Sequence, residues 1–395
     1  MRLHAWLKWS LVALLFLMLL AGQSWVTYHL FTSRFPGGND FYTRWANGCA
    51  LIWTGENPYA DEVTRRTQIG MHGRPAEIGE DLAAFSYPLY ALFLFWPLCF
   101  IHSYPLVQAI WMTLMLYALF AGIVLTARVA RWGPSAWLWG VTLVWGVLNY
   151  PHARALILGQ MATIVFLAVM AALLMLEREH DWSAGALLAV TTVKPQMSFL
   201  LVPWVLWWAA WRRRWEVWKG FGLAMALLAG MSFLLVPTWV GDFLQDIRHY
   251  DVVAGTDYHS LTWIITRHLL QLGPLAEGLG LAAFTLYALF EIWRGRRAGW
   301  DGFVWTTGLM LILTHFVAPR TATTHYTMLL LPLFGWFGRM RRRIGAPARL
   351  AIVGLEALLL LGQWAIFLVT LQGDYETAAV YLPFPILMLI VQVLV

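Results

Sequence analysis

Long apolar runs alternate with short polar stretches along almost the whole chain. Because lipid offers no partner to backbone N–H and C=O groups, apolar runs of membrane length favour helices. The pattern predicts an all-α polytopic membrane protein with about 12–13 transmembrane segments, in a single integral domain over residues 1–395. The thirteen runs lie at about 9–31, 88–101, 105–127, 135–149, 156–176, 183–193, 197–211, 218–238, 275–293, 302–318, 324–338, 350–370 and 380–395.

The first transmembrane helix is predicted within residues 1–35. Its apolar run is too long for the core of a signal peptide and has no convincing small-residue cleavage site. Arg2 and Lys8 place its start in the cytoplasm by the positive-inside rule. Residues 36–86 are therefore expected to form a loop on the outer face, ahead of a transmembrane bundle over 87–395.

The outer loop is predicted to begin with a helix that lies in the membrane interface. PGGN breaks the backbone, and Asn39 or Asp40 can cap a new helix that Gly55 ends. Arg44 and Asn47 lie off an apolar stripe with helical spacing. That stripe consists of Phe41, Trp45, Cys49, Ile52 and Trp53. A second outer loop is expected at about 239–258, and the following YHSLTWIITRHLL has the character of another interfacial helix.

Arginine clusters follow every second segment of the second half, so all are expected inside. Thirteen full crossings cannot satisfy both these clusters and the N-terminal charges. Either 183–211 is one broken helix with Lys194 and Pro195 in mid-membrane, or 88–101, about 21 Å long as a helix, is too short to span and re-enters on the outer side. Both alternatives keep Lys194 away from the cytoplasm. The clusters are Arg212, Arg213, Arg214 with Lys219, then Arg294, Arg296, Arg297, and then Arg339, Arg341, Arg342, Arg343.

Composition supports the membrane interpretation. The chain is 60% hydrophobic and only 12% charged, which is too little charge to cover a soluble surface of this size. The formal charge of +6 comes mostly from the arginine clusters, so a nucleic-acid partner is not predicted. The two cysteines, Cys49 and Cys99, form neither a disulfide framework nor a metal-ligand spacing, and they do not indicate a redox compartment.

Two charged residues stand out as candidates for chemistry. Asp40 lies where the chain has just left the bilayer, so it either caps a helix or accepts a proton from an acceptor hydroxyl. Lys194 is an ammonium among apolar residues, where a charge is costly and usually functional; the alternative is snorkelling to a nearby interface. Pro195 breaks the helix beside Lys194. A phosphate is the natural partner of such a cation.

Other polar residues are expected to face the same outer cavity, which should be basic and partly apolar with one carboxylate. Gln160 follows Gly159 at the start of an apolar segment, and its alternative role is a bond between helices. Arg320 is a cation on the side that the charge rule disfavours. His315 and His325 flank Arg320 at the same predicted outer turn between two helices, but two histidines ten residues apart do not indicate a metal site.

The order of these elements resembles glycosyltransferase family 87, the polyprenol-dependent group of the C-type glycosyltransferase superfamily that includes bacterial mannosyltransferases. The matching pieces are NDFYTRW with a following GENPY, FSYPLYALFLFWPL, LGQ at 158–160, VKPQ at 193–196 and APRTATTHYTMLLLP at 318–332. They cover most of residues 1–338. This chain has Ala162 where the family tends to have Asn, and YPL at Tyr87 where it tends to have YPP.

The resemblance implies a C-type bundle in which Asp40 is the catalytic base, Lys194 contacts the lipid phosphate, and Gln160 and His325 line the cavity. The predicted substrate-binding set is Lys194, Arg320, His325, Gln160, Arg44 and Tyr87, with no metal ligand. Asp40 and Lys194, about 150 positions apart, must then be neighbours in the fold.

The predicted function is sugar transfer with inversion, by preference of mannose, from a polyprenyl phosphate to a lipid or glycan acceptor. The reaction is expected at the extracytoplasmic face of a prokaryotic plasma membrane, in cell-envelope synthesis. A phosphate held by a cation leaves without protonation, so one carboxylate suffices. No glycine-rich phosphate loop or paired acidic metal motif is visible, and no cofactor is predicted, with a divalent cation left open. The alternative is a transporter or flippase of lipid-linked sugars, a class of protein whose sequences typically contain internal repeats.

Overall fold

The computed structural model describes residues 2–77, 80–253, 259–371 and 376–394, and these residues contain no β-strand. The predicted all-α class is confirmed. The first nine helices are α1 Arg2–Thr27, α2 Asn39–Trp53, α3 Asp61–His72, α4 Tyr104–Val129, α5 Ala136–Leu148, α6 Tyr150–Leu158, α7 Ala162–Glu177, α8 Asp181–Thr191 and α9 Leu201–Trp211. The others are α10 Trp215–Leu235, α11 Trp239–Val253, α12 Leu261–Trp263, α13 Pro274–Gly295, α14 Trp300–Val317, α15 Leu330–Ile344, α16 Ala348–Thr370, α17 Ala378–Tyr381 and α18 Pro383–Leu394.

Short helices of other types connect the α-helices. The 3-10 helices are Leu89–Leu94, Trp96–Phe100, Pro195–Met197 and Thr323–Leu329, and the π-helices are Tyr28–Thr32 and Ile264–Leu269. Five helices in the described part are long and apolar enough to cross a membrane, namely Leu7–Thr32, α4, α10, α13 and α16. The count rises to six when α6 and α7, bent by 118°, are taken as one span. The remaining predicted segments are shorter or broken helices.

One end of the bundle collects basic residues from several helices, and we call it the arginine-rich end. Arg131, after α4, pairs with Glu177 of α7 and with Asp301 of α14, each at 3.0 Å. Arg214 pairs with Asp181 at the start of α8. The last turn of α15 contributes its arginines here too, beside the chain that follows α4. The arginine clusters thus share one end of the bundle, and that this end is cytoplasmic stays a prediction.

The segment 183–211 does not form one broken spanning helix. Because Asp181 and Arg214 pair, α8 begins and α9 ends at the same, arginine-rich end of the bundle. The two half-helices therefore make a hairpin whose turn holds Lys194. α8 also lies directly on α10, where Gly185 contacts the backbone of Val217. A side chain at Gly185 would prevent this approach.

The segment 88–101 does not form a helix long enough to span a membrane. It forms 3-10 helices, and the chain at both of its ends contacts the outer-loop helices. Tyr59 donates a hydrogen bond to the carbonyl of Tyr87 at 2.6 Å, and the Trp53 indole donates one to the carbonyl of Cys99, also at 2.6 Å. The structure thus agrees with the second alternative for the crossing parity, re-entry of this short segment.

The helix α2 forms as predicted and ends before Gly55, but the expected capping residue was wrong. Gly38, with φ +68°, is its N-cap, and Asp40 makes no capping hydrogen bond. Arg44 and Asn47 lie off the apolar stripe but are buried all the same, with 8% and 0% of their surface exposed. The reason is that α3 and the chain near Ala83 cover the polar side of α2, so that Asn47 donates to the Ala83 carbonyl at 2.6 Å.

The predicted second outer loop is largely helical, since α11 occupies residues 239–253. Residues 254–258, the rest of that loop, lie outside the described part of the chain. The predicted interfacial helix after it forms as α12, continuing into the π-helix Ile264–Leu269.

Cys49 and Cys99 form a disulfide, so the expectation that they form no disulfide framework was wrong. The pairing arises because the 3-10 helix Trp96–Phe100 folds back onto the buried face of α2. Spacing could not reveal this contact. The bond ties α2 to the re-entrant segment.

Candidate active site

The residues predicted to form the site are brought together in one cavity of about 120 Å³. It lies at the end of the bundle opposite the arginine-rich end, between α2, the turn after α6 and the turn after α8. All seven predicted residues line it: Asp40, Arg44, Tyr87, Gln160, Lys194, Arg320 and His325. The sequence thus identified residues from five separate stretches of chain that the fold makes neighbours.

Asp40 is positioned by the glycine pair that precedes α2. The Tyr104 hydroxyl donates to the carbonyls of Gly37 and Gly38, at 2.8 and 2.9 Å. Gly38 adopts a left-handed backbone conformation, and a Cβ on it would lie 3.0 Å from that hydroxyl. The chain therefore turns sharply, and Asp40 falls in the first turn of α2. Its negative charge is stabilised there by the positive end of the helix dipole.

Gln160 is positioned by the turn between α6 and α7. Gly159 ends α6 with φ +69°, and its carbonyl accepts a hydrogen bond from the Trp111 indole at 2.8 Å. A Cβ on Gly159 would lie 2.6 Å from the Cβ of Phe41, next to Asp40 on α2. The close approach that only glycine allows brings Gln160 to α2.

The side chain of Gln160 connects Asp40 and Lys194. Its Nε2 donates a hydrogen bond to Oδ2 of Asp40, and its Oε1 accepts one from Nζ of Lys194. Lys194 is buried, with 2% of its surface exposed, and follows the C-terminus of α8 as predicted. The expectation that the carboxylate and the ammonium are neighbours is therefore confirmed, with the amide of Gln160 between them.

Tyr87 lies between two of the cations. The guanidinium carbon of Arg44 is 5.0 Å and the Nζ of Lys194 is 6.0 Å from the centre of its ring. Such cation–π contacts hold positive groups together without neutralising them. Burial raises the pKa of the Tyr87 hydroxyl to about 12, so that it remains a protonated hydrogen-bond donor near neutral pH.

Arg320 reaches the cavity from the segment between α14 and the 3-10 helix Thr323–Leu329, and His325 reaches it from that 3-10 helix. The backbone of Arg320 pairs with that of His259. Nδ1 of His325 accepts a hydrogen bond from the Ala322 backbone N–H at 3.3 Å. His315 is buried and bonds Thr321 at 2.8 Å, and it does not line the cavity.

Three charged lining residues were missed by the sequence reasoning as site residues: Asp81, Arg154 and Glu376. Glu376 lies 3.4 Å from Arg154 and accepts hydrogen bonds from Tyr150 and Thr323, both at 2.5 Å. The expectation of one carboxylate was therefore wrong. The lining holds four cations, Arg44, Arg154, Lys194 and Arg320, and three acids, for a formal charge of +1. Glu376 could have been identified from the sequence as an acidic residue between the last two apolar segments.

The arrangement is suited to binding an anion and to accepting one proton. Asp81 accepts a hydrogen bond from the Ala83 N–H at 2.9 Å, and Glu376 is engaged by three side chains. Asp40 is half-buried, and only its Oδ2 receives a hydrogen bond from the residues described. Across the described ranges, no group of three or more His, Cys, Asp or Glu side chains could hold a metal.

The sequence matches a family model over more than half of its length. The model is that of glycosyltransferase family 87, and it covers residues 85–314, which include Tyr87, Gln160 and Lys194. Asp40, Arg44, Arg320 and His325 lie outside the matched residues. No curated protein and no solved structure matches the chain. With its apolar helices and this match, the chain belongs to glycosyltransferase family 87 and is a membrane glycosyltransferase.

Proposed function

We propose that the protein transfers a sugar, by preference mannose, from a polyprenyl phosphate to a lipid or glycan acceptor, with inversion at the sugar carbon. The observation that carries the proposal is the Asp40–Gln160–Lys194 chain of hydrogen bonds in a cavity with excess positive charge. It combines a candidate base with a candidate phosphate site. Family membership favours this enzyme over a transporter or flippase of lipid-linked sugars.

In the proposed mechanism, Lys194 and Arg320 hold the phosphate of the donor. The bond between the sugar carbon and the phosphate oxygen breaks, and the lipid leaves as a phosphate monoester whose charge these cations stabilise. Protonation of the leaving oxygen is unnecessary. Glycoside hydrolysis needs a second carboxyl group to protonate the leaving oxygen, and the proposed transfer does not.

Asp40 acts in the proposal as the general base. The acceptor hydroxyl attacks the sugar carbon from the face opposite the phosphate, and its proton passes to Oδ1 of Asp40, the carboxylate oxygen that Gln160 does not bind. Gln160 fixes the other oxygen, Oδ2. A single displacement on the sugar carbon inverts its configuration.

We further propose that the cavity faces the extracytoplasmic side of a prokaryotic plasma membrane. Two independent features support this orientation. The arginines gather at the opposite end of the bundle, as the positive-inside rule expects for the cytoplasmic end. The Cys49–Cys99 disulfide joins elements beside the cavity, and disulfides persist in oxidising compartments.

Product analysis tests the proposal. The purified protein in lipid nanodiscs is given a panel of polyprenyl-phosphate sugars, including mannose, glucose and galactose, with a lipid extract as the acceptor pool. We expect transfer from the mannosyl donor and a product of the opposite anomeric configuration, read by NMR. A retained configuration, or turnover of nucleotide sugars without any polyprenyl phosphate, would contradict the mechanism.

A further inference from the structure

A second, larger cavity of about 440 Å³ lies at the arginine-rich end, between α4, α14, α15 and α18. It is on the opposite side of the bundle from the Asp40 cavity and shares no lining residue with it. Its apolar walls include Val304, Trp305 and Leu331, and its cations are Arg131, Arg339 and Arg342. Apolar walls beside concentrated positive charge are the combination that an amphiphilic anion requires.

The guanidinium of Arg339 gives the strongest indication that this cavity binds a ligand. Its Nε and Nη2 are shielded from solvent and have no hydrogen-bond partner among the residues described. A guanidinium carries five N–H donors, and leaving buried donors of a charged group unpaired is costly. Its position near the C-terminus of α15 favours a cation but does not explain burial of these two atoms. An acceptor from outside the protein would relieve the cost.

The acid in the cavity wall, Asp301, is not the ion-pair partner of Arg339. Asp301 already pairs with Arg131 at 3.0 Å, and 84% of its side chain is exposed. The lining as a whole keeps a formal charge of +2, from three arginines and one aspartate. The guanidinium groups of Arg339 and Arg342 therefore present their charge to whatever occupies the cavity.

A buried amide supplies a second, independent indication of a ligand. Gln392 of α18 is only 2% exposed, and its Nε2 donates to the Trp305 carbonyl at 2.8 Å. Gln392 lines the cavity wall, and its buried Oε1 has no hydrogen-bond partner in the described part of the chain. An occupant that has a hydroxyl or ammonium donor as well as an anionic group satisfies both Gln392 and Arg339.

We propose that this cavity binds an anionic phospholipid with a hydroxyl-bearing headgroup, its phosphate diester against Arg339 and Arg342 and its acyl chains along the apolar wall. Guanidinium groups bind phosphate oxygens in a bidentate manner, and basic pockets between membrane helices hold anionic headgroups. Gly335 leaves the space open, since a Cβ there would lie 3.9 Å from Arg339 Nη1 and meet no other atom within 4 Å. This site does not depend on the proposed sugar transfer.

Native mass spectrometry of the full-length protein with phosphatidylglycerol or phosphatidylcholine tests the site. We expect retained phosphatidylglycerol on the wild type, and at least about tenfold weaker retention in R339Q and in the double variant R339Q/R342Q, because each basic contact to an anionic lipid contributes appreciably. The matched control is R343Q, which removes the same charge from the same helix but lies outside the lining. Equal losses in R339Q and R343Q would show a general surface field and overturn the site.

Two further experiments test the inference even if an arginine variant misfolds. G335L should block the cavity without changing charge, so it should reduce phosphatidylglycerol retention as R339Q does; unchanged retention in folded G335L contradicts the proposal. Inorganic phosphate and glycerol phosphate are added as competitors at millimolar concentration. If either competitor displaces the lipid with an affinity in the micromolar range, the ligand is a soluble phosphate compound and the phospholipid assignment is wrong.

Discussion

The side-chain amide of Gln160 donates a hydrogen bond to the carboxylate of Asp40, which lies 120 residues earlier in the chain. The same amide accepts a hydrogen bond from Lys194. A neutral amide thus orients a carboxylate and an ammonium without letting them form a direct pair. The three residues form one chain of hydrogen bonds, and single and double substitutions can separate their contributions.

Gln160→Ala should lower kcat/KM by about 10- to 100-fold, because Asp40 loses the contact that fixes it and a small misplacement of a catalytic group is costly. The measurement is the initial rate of sugar transfer. Since Gln160 acts through Asp40, adding Gln160→Ala to Asp40→Asn should cause little further loss. Fully additive losses in the double variant would show that Gln160 acts independently of the carboxylate.

Lys194→Met should raise the KM for the polyprenyl-phosphate donor by about 30-fold or more, which is the usual cost of removing a buried charge that binds an opposite charge. The KM for the acceptor should change much less. Lys219→Met is the matched control, because Lys219 is exposed at the arginine-rich end and pairs with Glu216 at 2.6 Å. A larger effect on the acceptor than on the donor would reassign Lys194 to the acceptor side.

Gly159→Ala should destabilise the protein and abolish most activity. A left-handed conformation alone costs a non-glycine residue about 1–2 kcal/mol, and here the new Cβ would also lie 2.6 Å from Phe41 Cβ. Gly55→Ala is the control, since Gly55 has φ +73° and no atom within 4 Å of a Cβ. Thermal unfolding and transfer rates of both variants give the comparison. Equal effects at Gly159 and Gly55 would mean that the contact with α2 does not matter.

The orientation is tested by placing single cysteines at the two ends of the bundle. The native cysteines are joined in a disulfide, so they do not react. A membrane-impermeant maleimide added to intact cells should label Arg34→Cys, near the Asp40 end, and not Arg213→Cys, at the arginine-rich end. In inverted membrane vesicles the result should reverse. Labelling of Arg213→Cys in intact cells would place the candidate active site in the cytoplasm.

The helical class and most of the candidate site could be predicted from the sequence. Apolar runs specify membrane helices whatever their partners, and Asp40 and Lys194 were identifiable because a charge beside or within such a run needs a physical reason. The helix break at Lys194 followed directly from Pro195. These are local properties, and local properties are what a single sequence records best.

The contacts that local patterns do not encode were the ones missed. The pairing of Cys49 with Cys99 depends on the re-entrant segment folding onto α2. Glu376 enters the site through Arg154 and Tyr150, which lie more than 200 positions away. The ion pair between Asp181 and Arg214 joins the two ends of the α8–α9 hairpin, and close packing at Gly185 sets α8 against α10. Each of these is a long-range contact that composition and periodicity leave unspecified.

The role of Asp40 as the base is tested by the rate of sugar transfer in Asp40→Asn, in membranes supplied with radiolabelled polyprenyl-phosphate mannose. Asp61→Asn is the matched control, because Asp61 is also an acid in the first turn of an outer-loop helix but is exposed and outside the cavity. We expect Asp40→Asn to lose about 10²- to 10⁴-fold in rate at unchanged expression, and Asp61→Asn to keep its activity. Normal turnover by Asp40→Asn would contradict the assignment of the base and the mechanism built on it.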